Sequence, residues 1–251
     1  MTFLLVVACQ PLDTTLSTPT APATDAATQT PTIVWFPPSA TPTLLTVPTY
    51  TGTPEMSPGI GQVTFSDNFS DKSVWDIATS DQGSAAINRN QLALAVQPGY
   101  YLSSMRHKMT LSDFYAEITA RPSLCRGEDN YGVILRGVGS YFYRFVLTCD
   151  RQVRAERING GTKLLIHDLV PSGDAPGAPG EVRIGVWAVK SEMRLFLNGR
   201  YQFSITDNSF PSGALGVYVR STGDTPVTVI FSDLKIYGVD YVLPTKTPLP
   251  Q

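Results

Sequence analysis

From residue 61 to about residue 242, apolar and polar residues alternate in short runs, and Gly, Asn and Asp separate the runs. Successive side chains of a strand point to opposite faces, so this alternation marks strands with one buried face. Gln91-Leu92-Ala93-Leu94-Ala95-Val96 alternates cleanly, and Phe114-Tyr115-Ala116-Glu117-Ile118-Thr119-Ala120 reads as a longer strand. Residues 131–136 and 141–149 read as a hairpin around Gly137-Val138-Gly139-Ser140. Further runs lie at 63–66, 68–71, 152–158, 163–167, 182–189, 193–197, 201–205, 214–220 and 227–237, which predicts twelve or thirteen strands. No segment keeps a 3.6-residue period over ten residues. The expected fold class is all-β, a two-sheet antiparallel β-sandwich or jelly roll, because each sheet must bury its apolar face on the other.

Ahead of this region the composition changes abruptly. Between residues 10 and 58, 24 of 49 residues are Thr or Pro, and none is Lys or Arg. Such a stretch holds too few apolar residues to pack, and proline favours polyproline II, so a disordered stalk is expected at 10–60. Fully extended, about 50 residues reach roughly 150 Å. Thr/Pro tracts also suit O-glycosylation. Ile33-Val34-Trp35-Phe36-Pro37-Pro38 interrupts the stalk, either as an incidental apolar island or as a docking segment. A second Pro-rich stretch at 243–251 closes the chain after a domain expected at 61–242.

Residues 1–9 end in Val6-Val7-Ala8-Cys9. This resembles a bacterial lipobox, in which small residues precede the cysteine that takes a diacylglycerol. The resemblance implies lipidation at Cys9 and attachment to the extracytoplasmic face of the cell membrane. A signal peptide also needs a basic n-region and at least seven apolar residues. Here the apolar run spans only residues 3–8 and the first basic residue is Lys72, so an upstream extension is expected. No stretch approaches 18 consecutive apolar residues.

The formal net charge is −2 and charged residues make up 16 %, which gives no electrostatic case for nucleic acid as a partner. A single module of this kind is read as a monomer. The basic residues are 13 Arg against 6 Lys, and seven of the Arg lie between residues 121 and 157. They read either as solvated strand faces or as an Arg-lined face, since guanidinium offers a planar fork of donors for carboxylates and hydroxyls. Setting Cys9 aside leaves Cys125 and Cys149 as an even pair, a disulfide candidate in an exported protein. If the hairpin turns at 137–140, residues 131 and 146 lie roughly opposite, and 149 falls near 128. The bridge would staple the loop Arg126-Gly127-Glu128-Asp129-Asn130.

Several positions together carry a family resemblance. They are Asp67-Asn68-Phe69-Ser70 with Trp75, Tyr131-Gly132-Val133-Ile134-Leu135-Arg136 and Tyr141-Phe142-Tyr143-Arg144-Phe145. Leu197-Asn198-Gly199-Arg200, Gly213-Ala214-Leu215-Gly216-Val217 and Phe231-Ser232-Asp233-Leu234-Lys235-Ile236 complete the pattern. The pattern resembles the concanavalin A-like lectin/glucanase superfamily, in its laminin G-like and 3-keto-disaccharide hydrolase-like branch. It covers roughly residues 63–240. Glucanases of that superfamily carry a Glu-x-Asp-x-x-Glu strand whose acids act as nucleophile and acid/base. This chain has no such spacing: Glu117 stands alone on its strand and Glu128-Asp129 lies in a turn. No catalytic residue is therefore assigned. Asp150, Glu128 and Asp129 read either as a Ca²⁺ site or as solvated loop acids, and no other cofactor or metal is implied.

Aromatic faces stack on the C–H face of a pyranose while Arg and acids bind its hydroxyls. On that ground Arg136, Tyr141, Tyr143, Arg144, Glu156 and Trp187 are the candidate ligand contacts, each equally open to a packing role. Alternation alone does not say which face a residue takes, because a one-residue slip exchanges the faces. The combined expectation is a surface lipoprotein whose module binds a polysaccharide or other extracellular polymer without catalysis. The alternatives are a glycoside-active hydrolase of the 3-keto-disaccharide hydrolase or glucanase type, and an envelope protein-interaction module.

Overall fold

The computed structural model describes residues 55–242. Cys9, the Trp35 island, most of the expected stalk and the Pro-rich tail lie outside the described residues. The strands are β1 (Ile60–Asp67), β2 (Ala78–Ser80), β3 (Gly83–Asn88), β4 (Gln91–Val96), β5 (Tyr101–Met105), β6 (Phe114–Leu124), β7 (Asn130–Val138) and β8 (Tyr141–Thr148). They continue with β9 (Gln152–Asn159), β10 (Thr162–Pro171), β11 (Val182–Val189), β12 (Glu192–Leu197), β13 (Arg200–Thr206), β14 (Ala214–Arg220) and β15 (Val227–Val239). Among the described residues the only helical element is a 3₁₀ turn at Lys72–Val74.

Two antiparallel sheets form a jelly-roll sandwich. The larger runs β13-β12-β11-β6-β15-β4-β3-β2, with β1 also paired to β15. The smaller runs β10-β9-β8-β7-β14-β5. Strand β15 serves two neighbours in turn: its first half pairs with β4 and its second with β1. A bulge near Asp233, whose φ is +56°, separates the halves. Between the sheets, alternate residues such as Val133, Phe145, Val217, Ile118, Ile184, Leu195 and Phe231 form the main core. Burying one such side chain is worth about 1.5–3 kcal/mol.

Three strands escape the sequence reading: β2, β3 and β5. Gly83-Ser84-Ala85-Ala86 holds small residues whose strand preference is weak, and pairing to β4 supplies what propensity does not. The expected strand at 68–71 is instead a turn. Phe69 adopts φ +58° with no exposure and stacks on Trp75 at 5.0 Å between ring centroids. Buried Asp67 organises that turn. It accepts from the Phe69 amide at 2.8 Å, the Trp75 indole at 3.1 Å and Arg106 Nε at 2.9 Å. Asn198 and Gly199, at φ +53° and +80°, make the primed turn expected of Asn-Gly.

Cys125 and Cys149 are joined, with Cα atoms 5.6 Å apart. Tyr131 faces Leu147 rather than Val146, because the hairpin turns at Gly139-Ser140, later than expected, and an extra residue of β7 between Leu135 and Val138 takes back only part of that shift. The stapled loop is held a second time by buried Asp129. Its carboxylate accepts from the amides of Arg126, Thr222 and Gly223 at 3.1, 2.8 and 3.2 Å.

Candidate functional site

Each sheet has an outer face, and the two differ in chemistry. On the six-stranded sheet, Arg144 of β8 pairs with Glu156 of β9, and Val146 pairs with Arg154. The Glu156 side chain has no exposure and accepts from the Nε of both Arg144 and Arg154, the latter at 2.6 Å. Lys163 of β10 stands 3.9 Å away. Burial by itself would push the Glu156 carboxyl up, but Arg144 and Arg154 beside it hold it below the usual glutamate value. The Arg144 guanidinium lies 5.0 Å over the ring of Tyr218, which in turn leans on Tyr101 at 5.7 Å. Gly132, paired with Tyr218, has no room for a side chain, since a Cβ there would sit 1.9 Å from the Phe145 carbonyl oxygen.

Two hollows lie side by side on this face. One, of about 400 Å³, is lined by Glu128, Asn130, Asp150, Arg154, Glu156 and Leu169 among others. The second, of about 450 Å³, is lined by Tyr101, Ser140, Phe142, Arg144, Ile158 and Gly161. Both also touch Lys163 and Arg220, so together they form one groove to which all six strands contribute. Asn130 is buried beside it and leaves its Oδ1 without a hydrogen-bond partner among the described residues.

Of the six candidate contacts, the structure brings only Arg144 and Glu156 together in this groove. Tyr143 faces the other way, into the core, with no exposure. Its hydroxyl donates to Asp207 at 2.6 Å and accepts from the Phe210 amide at 3.0 Å. Burial and Asp207 push its phenol up to about 12. Tyr141 is exposed at the hairpin end, edge-on to Phe210. Arg136 is buried at the bulge, where its guanidinium donates to the carbonyls of Lys190, Ser112 and Phe210 at 2.7, 2.7 and 3.4 Å. That guanidinium clips loops together and leaves little for a ligand. Trp187 lies on the outer face of the other sheet, fully buried under the segment 56–60 and Tyr241. Its indole donates to the Pro58 carbonyl at 2.9 Å, and Arg194 covers its ring at 4.5 Å while holding the Met56 carbonyl at 2.6 Å. Residues 56–60, ahead of the boundary expected at residue 61, thus pack on this sheet.

With this geometry in view, the solved structures are informative. The Bacillus subtilis carbohydrate-binding module CBM66 superposes with a TM-score of 0.54 at 15 % identity, covering 66 % of this chain and 96 % of that one. The endo-1,3-beta-glucanase (laminarinase) catalytic domain of Thermotoga petrophila RKU-1 gives 0.52 at 10 %, covering 72 % and 98 %. The Bacillus licheniformis beta-glucanase gives 0.54 at 10 %, covering 70 % and 98 %. The fold is the jelly roll that these structures share. No protein-family model matches the chain, and no curated protein matches it in sequence.

The sequence reading missed Tyr101, Phe142, Arg154, Lys163 and Arg220. Period-2 logic held the signal for two of them. Once Arg144 is placed outward, Phe142 must join it and Tyr143 must not, and the partner of Glu156 on its own strand is Arg154. Tyr101 was hidden because β5 was not recognised. Lys163 reaches the groove through the β9–β10 hairpin, and Arg220 only through pairings distant in sequence. Of the three acids read as a Ca²⁺ option, Asp129 has its carboxylate engaged by amides, and Asp150 accepts from Thr148 and Gln152. Among the described residues no group of three His, Cys, Asp or Glu is placed to hold a metal ion.

Proposed function

We propose that this chain is a surface lipoprotein whose jelly-roll module binds an extracellular polysaccharide in the groove of its six-stranded sheet, without hydrolysing it. The observation that carries the reading is the groove itself: aromatic side chains at Tyr101 and Phe142, an apolar one at Ile158, and charged donors at Arg144, Lys163 and Arg220 beside them. Sugars need that mixture, since their rings offer C–H faces and their edges offer hydroxyls. Likeness of fold to a carbohydrate-binding module supports the same reading.

A glycosidase needs two carboxylates across the scissile bond, one of them able to hold a proton near neutral pH. Glu156 lies between two guanidiniums that keep it ionised, which disfavours a general-acid role. Attachment through Cys9 agrees with the geometry of the module. Ile60 pairs with Val239 and the Asp240 amide donates to the Gly59 carbonyl, so the chain enters and leaves side by side on the sheet away from the groove. Binding through one or two stacked rings predicts affinities of order micromolar to millimolar. A glycan array on the full chain and on Tyr101→Ala tests the reading. Binding lost in the variant supports it; turnover of a bound glycan, or a blank array, overturns it.

A further inference from the structure

We infer that the polysaccharide is anionic, built from sugars that carry a ring carboxylate, and that Arg220 and Lys163 receive that carboxylate beside Tyr101. This deepens the carbohydrate reading above and rests on it. The charge in the groove is unevenly placed. Glu128, Asp150 and Glu156 line one hollow, whereas the hollow walled by Tyr101 and Phe142 is lined by Arg144, Lys163 and Arg220 and by no acid. Glu156 is spent on Arg144 and Arg154. Its contact with Lys163 is long, and that side chain stays half exposed. Arg220 forms no ion pair among the described residues, and its exposed side chain borders both hollows. Two cations are therefore left facing the aromatic end, in a chain whose formal net charge is −2.

A neutral polymer seated there would strip water from Arg220 and Lys163 and return only hydroxyl contacts, while a carboxylate returns charge-assisted bonds. Guanidinium takes a carboxylate through two parallel N–H bonds. Arg220 and Tyr101 are paired neighbours on β14 and β5. A ring lying on Tyr101 would thus present a carboxylate one bond from its edge to Arg220.

The test uses the full chain in affinity electrophoresis against polygalacturonate, alginate and hyaluronate, carboxyl-reduced polygalacturonate, laminarin and dextran sulfate. At least one carboxylated polymer is expected to retard the protein, with binding at least tenfold weaker for Arg220→Gln and weakened by added salt. If it is polygalacturonate, its reduced form should bind at least tenfold more weakly. Equal or tighter binding of laminarin or the reduced polymer overturns this inference and leaves the carbohydrate reading standing. Retardation by dextran sulfate alone overturns the carboxylate assignment in favour of a sulfated glycan. If no polymer binds here or on the array, both readings fall together.

Discussion

Arg144 and Glu156 face each other across β8 and β9, and Glu156 is wholly buried between Arg144 and Arg154. The pair is floor and strut at once: it orders the groove, and its one carboxylate is shared by two cations. Replacing Glu156 by Gln leaves Arg144 buried without its counter-charge, which should destabilise the module by roughly 3–5 kcal/mol in urea unfolding. An unchanged midpoint would show that water already compensates the guanidinium.

The same carboxyl predicts a pH limb. Its folded value lies below the ordinary 4.5, so its contribution is fully present above 4.5 and is lost as pH falls through the depressed value. Asp207, also held low once its hydrogen bonds outweigh the effect of burial, acts in the same direction. Melting temperature should fall on acidification below that range, and Glu156→Gln should flatten the fall. A variant whose acid limb parallels the parent would remove Glu156 from the account.

Tyr143→Phe removes the hydroxyl that bridges Asp207 and the Phe210 amide. The expected cost is about 1–3 kcal/mol of stability with glycan binding unchanged, since the ring faces the core. Lost binding in a folded variant would show that Asp207 and the 207–210 loop shape the groove.

The Cys125–Cys149 bridge closes a loop of 24 residues. Cys149→Ala should lower stability by about 3 kcal/mol on the chain-entropy account. Intact mass of exported protein is expected two hydrogens below the reduced form; two free thiols in that protein would contradict the pairing.

Limited proteolysis should leave a core that retains Met56, because Arg194 holds its carbonyl and Trp187 holds that of Pro58. Trimming to residue 61 should expose Trp187 and shift its fluorescence to the red. A core that begins after Ile60 with blue-shifted emission would show the segment to be dispensable.

The sequence on its own carries the all-β class and the pairing of the two cysteines. Each follows from a local regularity: period-2 alternation, and an even thiol count beside a hairpin. It also placed Arg144 and Glu156 among the candidates, but in company with Tyr143, Arg136 and Trp187. Only the tertiary structure separated them. Facing depends on register, and in β7 a bulge at Arg136 shifts that register, which short-range pattern does not show. Tyr101, Lys163 and Arg220 meet through strand order β10-β9-β8-β7-β14-β5, which joins segments far apart in the chain. A groove made by such pairings has no signature in any one segment, because the contacts that create it are set by how two whole sheets stack and by which strands the core selects as neighbours.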